Sequence, residues 1–325
     1  MENKILMATL VQHLLRFISS HFFTINIFKA SSLILLIVSI GCSQTTDPKV
    51  VDDNLIFDWQ SNPQFSRDGQ KIVFEGLYDS IYAIHFVDKN GIYLGHILDS
   101  ICSKNYVSSP SWGSNNNIVV SVEGNLSIVN ISNDSLTQLT SSYQDFSCTW
   151  SKDGNYIAYT KSICDPDCGI ALYNLSNNTT RIIGKFGGYA SWDNNSDRLY
   201  YYENVYSHGF YKGFVFKSVD LNTLNVDSLF YVNSNNADLW LSDLNISPDG
   251  KEIVFAASEG TPPQIYIWKI NLELKTLIKI TIGNHPAFSP DGSQIIYTNT
   301  NRSEGGLWIM NKDGSNKKRF TKLNK

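Results

Sequence analysis

The sequence predicts an all-β fold, a six-bladed β-propeller of four-stranded antiparallel blades, on three observations. One unit recurs six times along the chain, at a spacing of about 45 residues, the size of a propeller blade. Each unit carries short β-branched and aromatic runs divided by polar turns. After the first 41 residues, no stretch keeps a 3.6-residue apolar period over a dozen positions, so helices are not expected.

Each unit begins with a large apolar residue, then a polar turn, then an apolar strand. The first reads Phe65-Ser66-Arg67-Asp68-Gly69-Gln70-Lys71-Ile72-Val73-Phe74 and the third Trp150-Ser151-Lys152-Asp153-Gly154-Asn155-Tyr156-Ile157. The fifth and sixth are Ile246-Ser247-Pro248-Asp249-Gly250 and Phe288-Ser289-Pro290-Asp291-Gly292, each followed by an apolar strand. The second (Trp112-Gly113-Ser114-Asn115-Asn116-Asn117) and fourth (Trp192-Asp193-Asn194-Asn195-Ser196-Asp197) lack Asp-Gly but keep turn-forming residues. Proline presets φ, aspartate accepts from the amides ahead of it, and glycine takes the positive φ that starts the next strand. A further strand follows in each unit: Ile81 to Phe86, Leu126 to Ile131, Ile170 to Leu175, Phe216 to Leu221, Ile265 to Ile270 and Leu307 to Lys312. A closing element follows in several, as in Thr137 to Thr140, Lys279 to Thr281 and Arg319 to Thr321.

Ser-Pro-Asp-Gly, an apolar strand, and then Ile-Tyr-Ile-Trp-Lys-Ile or Leu-Trp-Ile-Met-Asn-Lys resembles the WD40-like (PD40) repeat of TolB-type propellers. The resemblance covers residues 55 to 322. TolB proteins carry a separate amino-terminal domain before the propeller, and the short segment here leaves no room for one, so the expectation is a TolB-like propeller rather than TolB. An open ring would expose a sheet edge. The apolar Leu55-Ile56-Phe57-Asp58-Trp59 is expected to close it by completing the last blade, beside Leu307 to Lys312 or Arg319 to Lys322.

The amino terminus reads as an address. Arg16 and Lys29 precede the apolar run Leu33 to Val38, which is shorter than the ~20 residues of a membrane-spanning helix and ends at Ser39-Ile40-Gly41-Cys42. Ile40-Gly41-Cys42 resembles the lipobox of bacterial lipoproteins, with Ser39 where such boxes usually carry Leu. The resemblance implies a signal peptide over 1–41, lipidation of Cys42 and a polar tether over 42–54, with the propeller over 55–325. It also implies an exported protein, lipid-anchored to the cell envelope. Ser43 after the cysteine points to the outer membrane, facing periplasm or surface. A simply secreted protein or an uncleaved anchor are the alternatives. The net charge is −4, and Lys4, Arg16 and Lys29 against Glu2 in the leader leave −6 on the rest, which excludes nucleic acid as a partner.

Cys102, Cys148, Cys164 and Cys168 are even in number, as suits an oxidising compartment. Cys164 and Cys168 bracket a turn-prone Asp-Pro-Asp, so a local bridge is expected there, with Cys102–Cys148 by elimination. No pair has zinc-site spacing, Asp165 and Asp167 are too few for calcium, and neither metal nor cofactor is implied. Gly-x-Ser-x-Gly is absent, which excludes an elbow-type serine hydrolase. The turn Ser-x-Asp-Gly differs in glycine spacing from the sialidase motif Ser-x-Asp-x-Gly-x-x-Trp. Asp68, Asp153, Asp249 and Asp291 have a structural role in their turns, and His85 lies in a strand as a packing residue.

The most aromatic stretch runs from Tyr200 to Lys212 (Tyr-Tyr-Tyr-Glu-Asn-Val-Tyr-Ser-His-Gly-Phe-Tyr-Lys). In propellers the loop before the innermost strand and the loop between the second and third strands share one face. Tyr206, His208 and Tyr211, with Asp238, Trp240 and His285, are therefore the candidate ligand or partner face, where rings with polar tips suit peptide or sugar recognition. The competing reading makes Tyr200 to Tyr202 plain strand residues and packs Tyr211 under its own loop. Two functions follow: a non-catalytic binding or scaffold module for an envelope protein, peptide or glycan, or a propeller enzyme, a polysaccharide lyase or hydrolase, with an active site at the channel mouth.

Overall fold

The computed structural model describes residues 56–57, 59–78, 81–102, 105–162, 168–233, 240–301 and 304–323. Six four-stranded sheets follow one another along the chain, and within each the strands lie side by side in sequence order. The first strands of the sheets are Trp59–Phe65, Val107–Trp112, Asp145–Trp150, Gly187–Trp192, Trp240–Ile246 and Asn284–Phe288. Each packs against the next, and that of the sixth sheet against that of the first. The sheets are thus the blades of a closed six-bladed propeller, and these inner strands surround its channel. A single helical turn, Asp99–Cys102, interrupts the β structure between blades 1 and 2.

The turns explain why the units fold alike. Ser66 Oγ donates to Asp68 Oδ1 at 2.6 Å, the same oxygen accepts the Gln70 amide at 3.0 Å, and the Lys71 amide returns to Ser66 Oγ at 2.9 Å. The hydroxyl-to-carboxylate bond recurs at 2.6 Å in Ser151–Asp153, Ser247–Asp249 and Ser289–Asp291. Gly69, Gly154, Gly250 and Gly292 take φ of 68° to 86°, a region glycine enters without a Cβ penalty. Blades 2 and 4 use Asn115, Asn116 and Ser196 at φ of 54°, 61° and 61° instead. The hydroxyl of Ser66, and then the Gln70 amide, hold Asp68 below the ordinary carboxylate range. These aspartates serve the turns, as the repeat implied.

Between blades the second and third strands present apolar faces to their neighbours. Phe214, Phe216 and Phe255 meet between blades 4 and 5 at centroid distances of 5.0 to 5.9 Å, each such burial contributing roughly 1.5–3 kcal/mol. Trp112 Nε1 donates to Gln64 O at 3.1 Å and Trp192 Nε1 to Thr149 O at 3.2 Å, so each indole pins its blade to the one before. Trp150 lies instead on Gly113, where an added Cβ would stand 2.3 Å from the ring. Gly113→Ala is accordingly expected to destabilise the fold by about 1–3 kcal/mol, the range for overpacking. In a Trp150→Leu background most of that cost should vanish in urea unfolding; an equal cost in both backgrounds would show that the indole is not the obstacle.

Ring closure meets the expectation in part: Ile56 pairs with Lys322, the last residue of the expected Arg319 to Lys322 partner, but not within blade 6. Ile56–Phe57 does not complete blade 6, whose outer strand is Lys318–Arg319; it pairs in parallel with Lys322–Leu323 in a separate two-stranded sheet. Trp59 already belongs to the inner strand of blade 1, and Ile56–Phe57 lies against that blade's second strand, Lys71–Tyr78, rather than in the blade 6 sheet. Phe57 is buried among Phe74 and Val87 of blade 1 and Ala287, Ile296 and Leu307 of blade 6. Buried Gln60 of blade 1 accepts the Leu307 amide at 3.0 Å and the Thr321 hydroxyl, so the seam is held by polar bonds as well.

The expected Cys102–Cys148 bridge is corrected: both are free thiols. Cys102 packs with Val107 and Ile118 between blades 1 and 2, whereas Cys148 packs with Val119 and Trp150 between blades 2 and 3. A disulfide needs Cα atoms within about 7 Å, which two separate inter-blade cores do not supply. Burial pushes both thiols up to about 12. Cys168 is disulfide-bonded; Cys164, Asp165 and Asp167 lie outside the described residues, as do residues 1–55 with Cys42 and the segments expected to be signal peptide and tether.

Candidate functional site

Consecutive antiparallel strands put the connections alternately at the two ends of a blade. The Ser-x-Asp-Gly turns lie at one end, the turn face. The second-to-third-strand hairpins and the segments entering each inner strand lie at the other, the hairpin face. The sequence-derived candidates fall on the hairpin face: Tyr206, His208 and Tyr211 in the long hairpin of Arg198–Ser207 and Phe210–Asp220, and His285 at the entry of its inner strand. Asp238 and the side chain of Trp240 lie outside the described residues.

Every inner strand carries a bulge near its hairpin-face end, between Ser61/Gln64, Ser108/Ser111, Phe146/Thr149, Gly188/Ala190, Leu241/Asp243 and Asn284/Ala287. In five of them a non-glycine residue sits at positive φ: Asn62 at 50°, Ser109 at 57°, Ser147 at 51°, Tyr189 at 48° and His285 at 50°. Such conformations each cost on the order of 1–3 kcal/mol and persist where the surroundings over-determine them, often at ligand sites. The bulges turn these residues onto one level of the channel, beside a cavity of about 50 Å³ that Asn62, Ser109, Ser147, Tyr189 and Asp243 help line.

Two carboxyl groups stand at this level, and sequence reading missed both. Asp243 borders the cavity; burial pushes it up to about 7, against the lowering effect of the Leu244 amide 2.7 Å away. Glu75, from the second strand of blade 1, is 1% exposed, and burial likewise pushes it up to about 7 although the Tyr82 hydroxyl and Ser109 amide favour its charge. It gathers two bulges, accepting from Asn62 Nδ2 and, at 3.5 Å, from the Ser109 amide. Tyr82 OH lies 2.7 Å from Glu75 Oε2 and 2.6 Å from Val107 O. One hydroxyl proton serves only one acceptor, so both contacts are satisfied when Glu75 is protonated and donates to Tyr82. His285 Nδ1 meets Ser61 Oγ at 3.0 Å across the seam of blades 6 and 1, and burial pushes the ring down to about 4. His85 is fully buried, bonded to Tyr93 OH and Gly76 O at 3.1 Å each, and burial followed by nearby His96 pushes it down to about 3, a packing residue as its strand position implied.

Around the mouth, exposed aromatic rings stand on the hairpin face. Trp59, Tyr106, Tyr143 and Phe186 mark the entries to the inner strands of blades 1 to 4, and Tyr206 and Phe210 flank the blade 4 hairpin, all 41% to 70% exposed. The remaining exposed aromatic among the described residues, Tyr231, bonds that hairpin through Lys212 O at 2.8 Å. Tyr206 and Tyr211 meet edge to face at 5.8 Å, Tyr211 packs on the core that holds Tyr202, and Tyr202 stacks on Tyr189 at 6.3 Å. An aromatic ladder thus runs from the hairpin tip to the channel wall. Tyr211 sits half-buried under its loop, as the packing reading expects, while Tyr206 and His208 are exposed. Among the described residues no three His, Cys, Asp or Glu side chains group as metal ligands.

No protein-family model matches the sequence. Solved structures share the fold, which is that of TolB-type propellers. TolB from Acinetobacter baumannii superposes with a TM-score of 0.56 at 16% identity over 78% of this chain and 61% of that one. The putative TolB from Agrobacterium tumefaciens gives 0.54 at 17% identity over 66% of this chain and 80% of that one. Oligogalacturonate lyase from Vibrio parahaemolyticus gives 0.52 at 12% identity over 82% and 92%. This chain therefore spans less than two thirds of the Acinetobacter protein's length.

Proposed function

We propose that this chain is a non-catalytic docking module of the cell envelope, anchored through a lipid on Cys42, that holds a protein segment, peptide or glycan on its hairpin face. The observation that carries this reading is the placement of the exposed aromatic rings, from Trp59 through Phe210, around one end of one channel. Rings of this kind supply contact area at low conformational cost and concentrate at recognition surfaces. The mouth below them offers polar tips, Ser147, Tyr189 and Asp243, for a ligand's polar groups. Lipid on a cysteine would keep the propeller at a membrane, each buried methylene contributing ~0.8 kcal/mol.

The test is capture from envelope extract on the immobilised full-length chain, with mass spectrometry of bound proteins and glycans and a parallel Tyr206→Ala/Tyr211→Ala variant. Specific capture that the variant loses is the expected result. Turnover of an envelope polymer without capture would replace docking by a channel-mouth enzyme.

A further inference from the structure

The turn face holds a second site of opposite character. There the channel opens into a cavity of about 100 Å³ walled by residues from all six blades. The ionisable side chains in that wall are Arg67 and Lys152, both basic. Arg67 leaves the blade 1 turn and donates through Nη2 to Ser151 O of blade 3 at 2.8 Å, so its guanidinium reaches past blade 2 and lies across the mouth. Lys152 reaches to Asn194 Oδ1 of blade 4. Nearby carboxylates are committed to their own turns: Asp153 accepts from Ser151 Oγ at 2.6 Å and from Asn155 Nδ2 at 2.6 Å, and Asp193 from the Arg198 amide at 3.5 Å.

Burial lowers the basicity of both groups; Asp153 offsets part of this for Arg67 and Asp193 for Lys152, while the charge of Arg67 lowers Lys152 further. Lys152 therefore stands within the field of the Arg67 charge. Two hydroxyls in the wall add donors beside them. Ser111 Oγ accepts the Trp150 amide and Ser191 Oγ the Ile246 amide, each at 3.1 Å, which leaves each hydroxyl its proton to give. We propose that this mouth binds a small oxyanion, the carboxylate or phosphate end of a ligand, in the fork of Arg67 and against the ammonium of Lys152. A guanidinium presents five donors in a planar fork that fits either group, and one N–H is spent on Ser151. The proposal stands independently of the reading of the hairpin face.

Calorimetric titration of the full-length chain with sodium phosphate and with sodium acetate, each matched in ionic strength with chloride, tests it. Saturable binding is expected, weakened at least tenfold by Arg67→Gln and by Lys152→Gln, with a smaller loss for Arg67→Lys, which keeps the charge without the fork. Preference for acetate would assign a carboxylate ligand and preference for phosphate a phosphoryl one. Because Arg67 also ties two turns together, Lys152→Gln separates ligand binding from folding: its ammonium bonds the exposed Asn194 side chain rather than the backbone of a neighbouring turn. No saturable binding of either anion, or isotherms of Lys152→Gln that superimpose on those of the parent, would overturn the proposal.

Discussion

Phe57→Ala is expected to lower the unfolding free energy by about 3–5 kcal/mol, the range for removing a buried phenyl group from a core. Phe57 is 1% exposed and stands edge-on to Phe74 at 5.3 Å and to His85 at 5.0 Å, with Ala287, Ile296 and Leu307 of blade 6 on its other side. It belongs to a strand of only two residues, Ile56–Phe57, whose parallel partner is equally short. Backbone pairing there is brief, so the ring's burial supplies the apolar part of the join between the first blade and the last, beside the packing of their inner strands and the Gln60 bonds. The loss should be accompanied by faster amide exchange at Phe57 and through 318–323, with blades 3 and 4 unchanged. Phe57→Leu, which keeps most of the volume, should cost less than about 1.5 kcal/mol. If Phe57→Ala unfolds at the parent's urea midpoint, the seam is held elsewhere, and the Gln60 bonds to Leu307 and Thr321 would be the place to look.

The blade number and turn positions were legible because one physical problem, leaving the inner strand and entering the second, is solved by the same residues each time. The inner strands themselves were not. Val-Ser-Ser-Pro-Ser-Trp, Gly-Gly-Tyr-Ala-Ser-Trp and Asn-His-Pro-Ala-Phe lack β-branched runs and contain residues that interrupt strands. Six strands crowd about one axis, where small residues fit, and a bulge tolerates the proline and glycine. Tyr211 and His285 could be placed on one face from loop order alone, but Glu75 and Asp243 could not, since burial is what makes them distinctive. The available signal was a carboxylate inside an apolar strand, as in Lys71-Ile72-Val73-Phe74-Glu75-Gly76. Cysteine parity failed for a related reason: an even number of thiols says nothing of which core each enters, and Cys102 and Cys148 enter different ones.

Glu75→Gln should leave stability nearly unchanged at pH 4.5 and raise it by a few kcal/mol at pH 8. In the folded chain burial pushes Glu75 up to about 7 from an ordinary value of 4.5, so between those limits the native state holds a proton that the unfolded state has released. Stability from this group is complete below pH 4.5 and is lost as pH rises through 7, at up to roughly 1.4 kcal/mol per pH unit. Glutamine mimics the protonated form at every pH. Its oxygen can accept from Asn62 Nδ2 and the Ser109 amide, and its amide can donate to Tyr82 OH, freeing Tyr82 to donate to Val107 O. Asp243 adds a slope of the same sign, from 3.8 towards about 7. His85 and His285, pushed down to about 3 and 4, add the opposite slope, losing stability as pH falls below 6.5. The parent's own profile is therefore shallow, and the quantity to measure is the difference between variant and parent from urea midpoints at pH 4.5, 6, 7 and 8. A difference that grows with pH and levels off above 7 assigns the proton to Glu75. A constant difference would mean that Glu75 is ionised throughout, and that the bulges of blades 1 and 2 are tied together by a carboxylate rather than by a neutral acid.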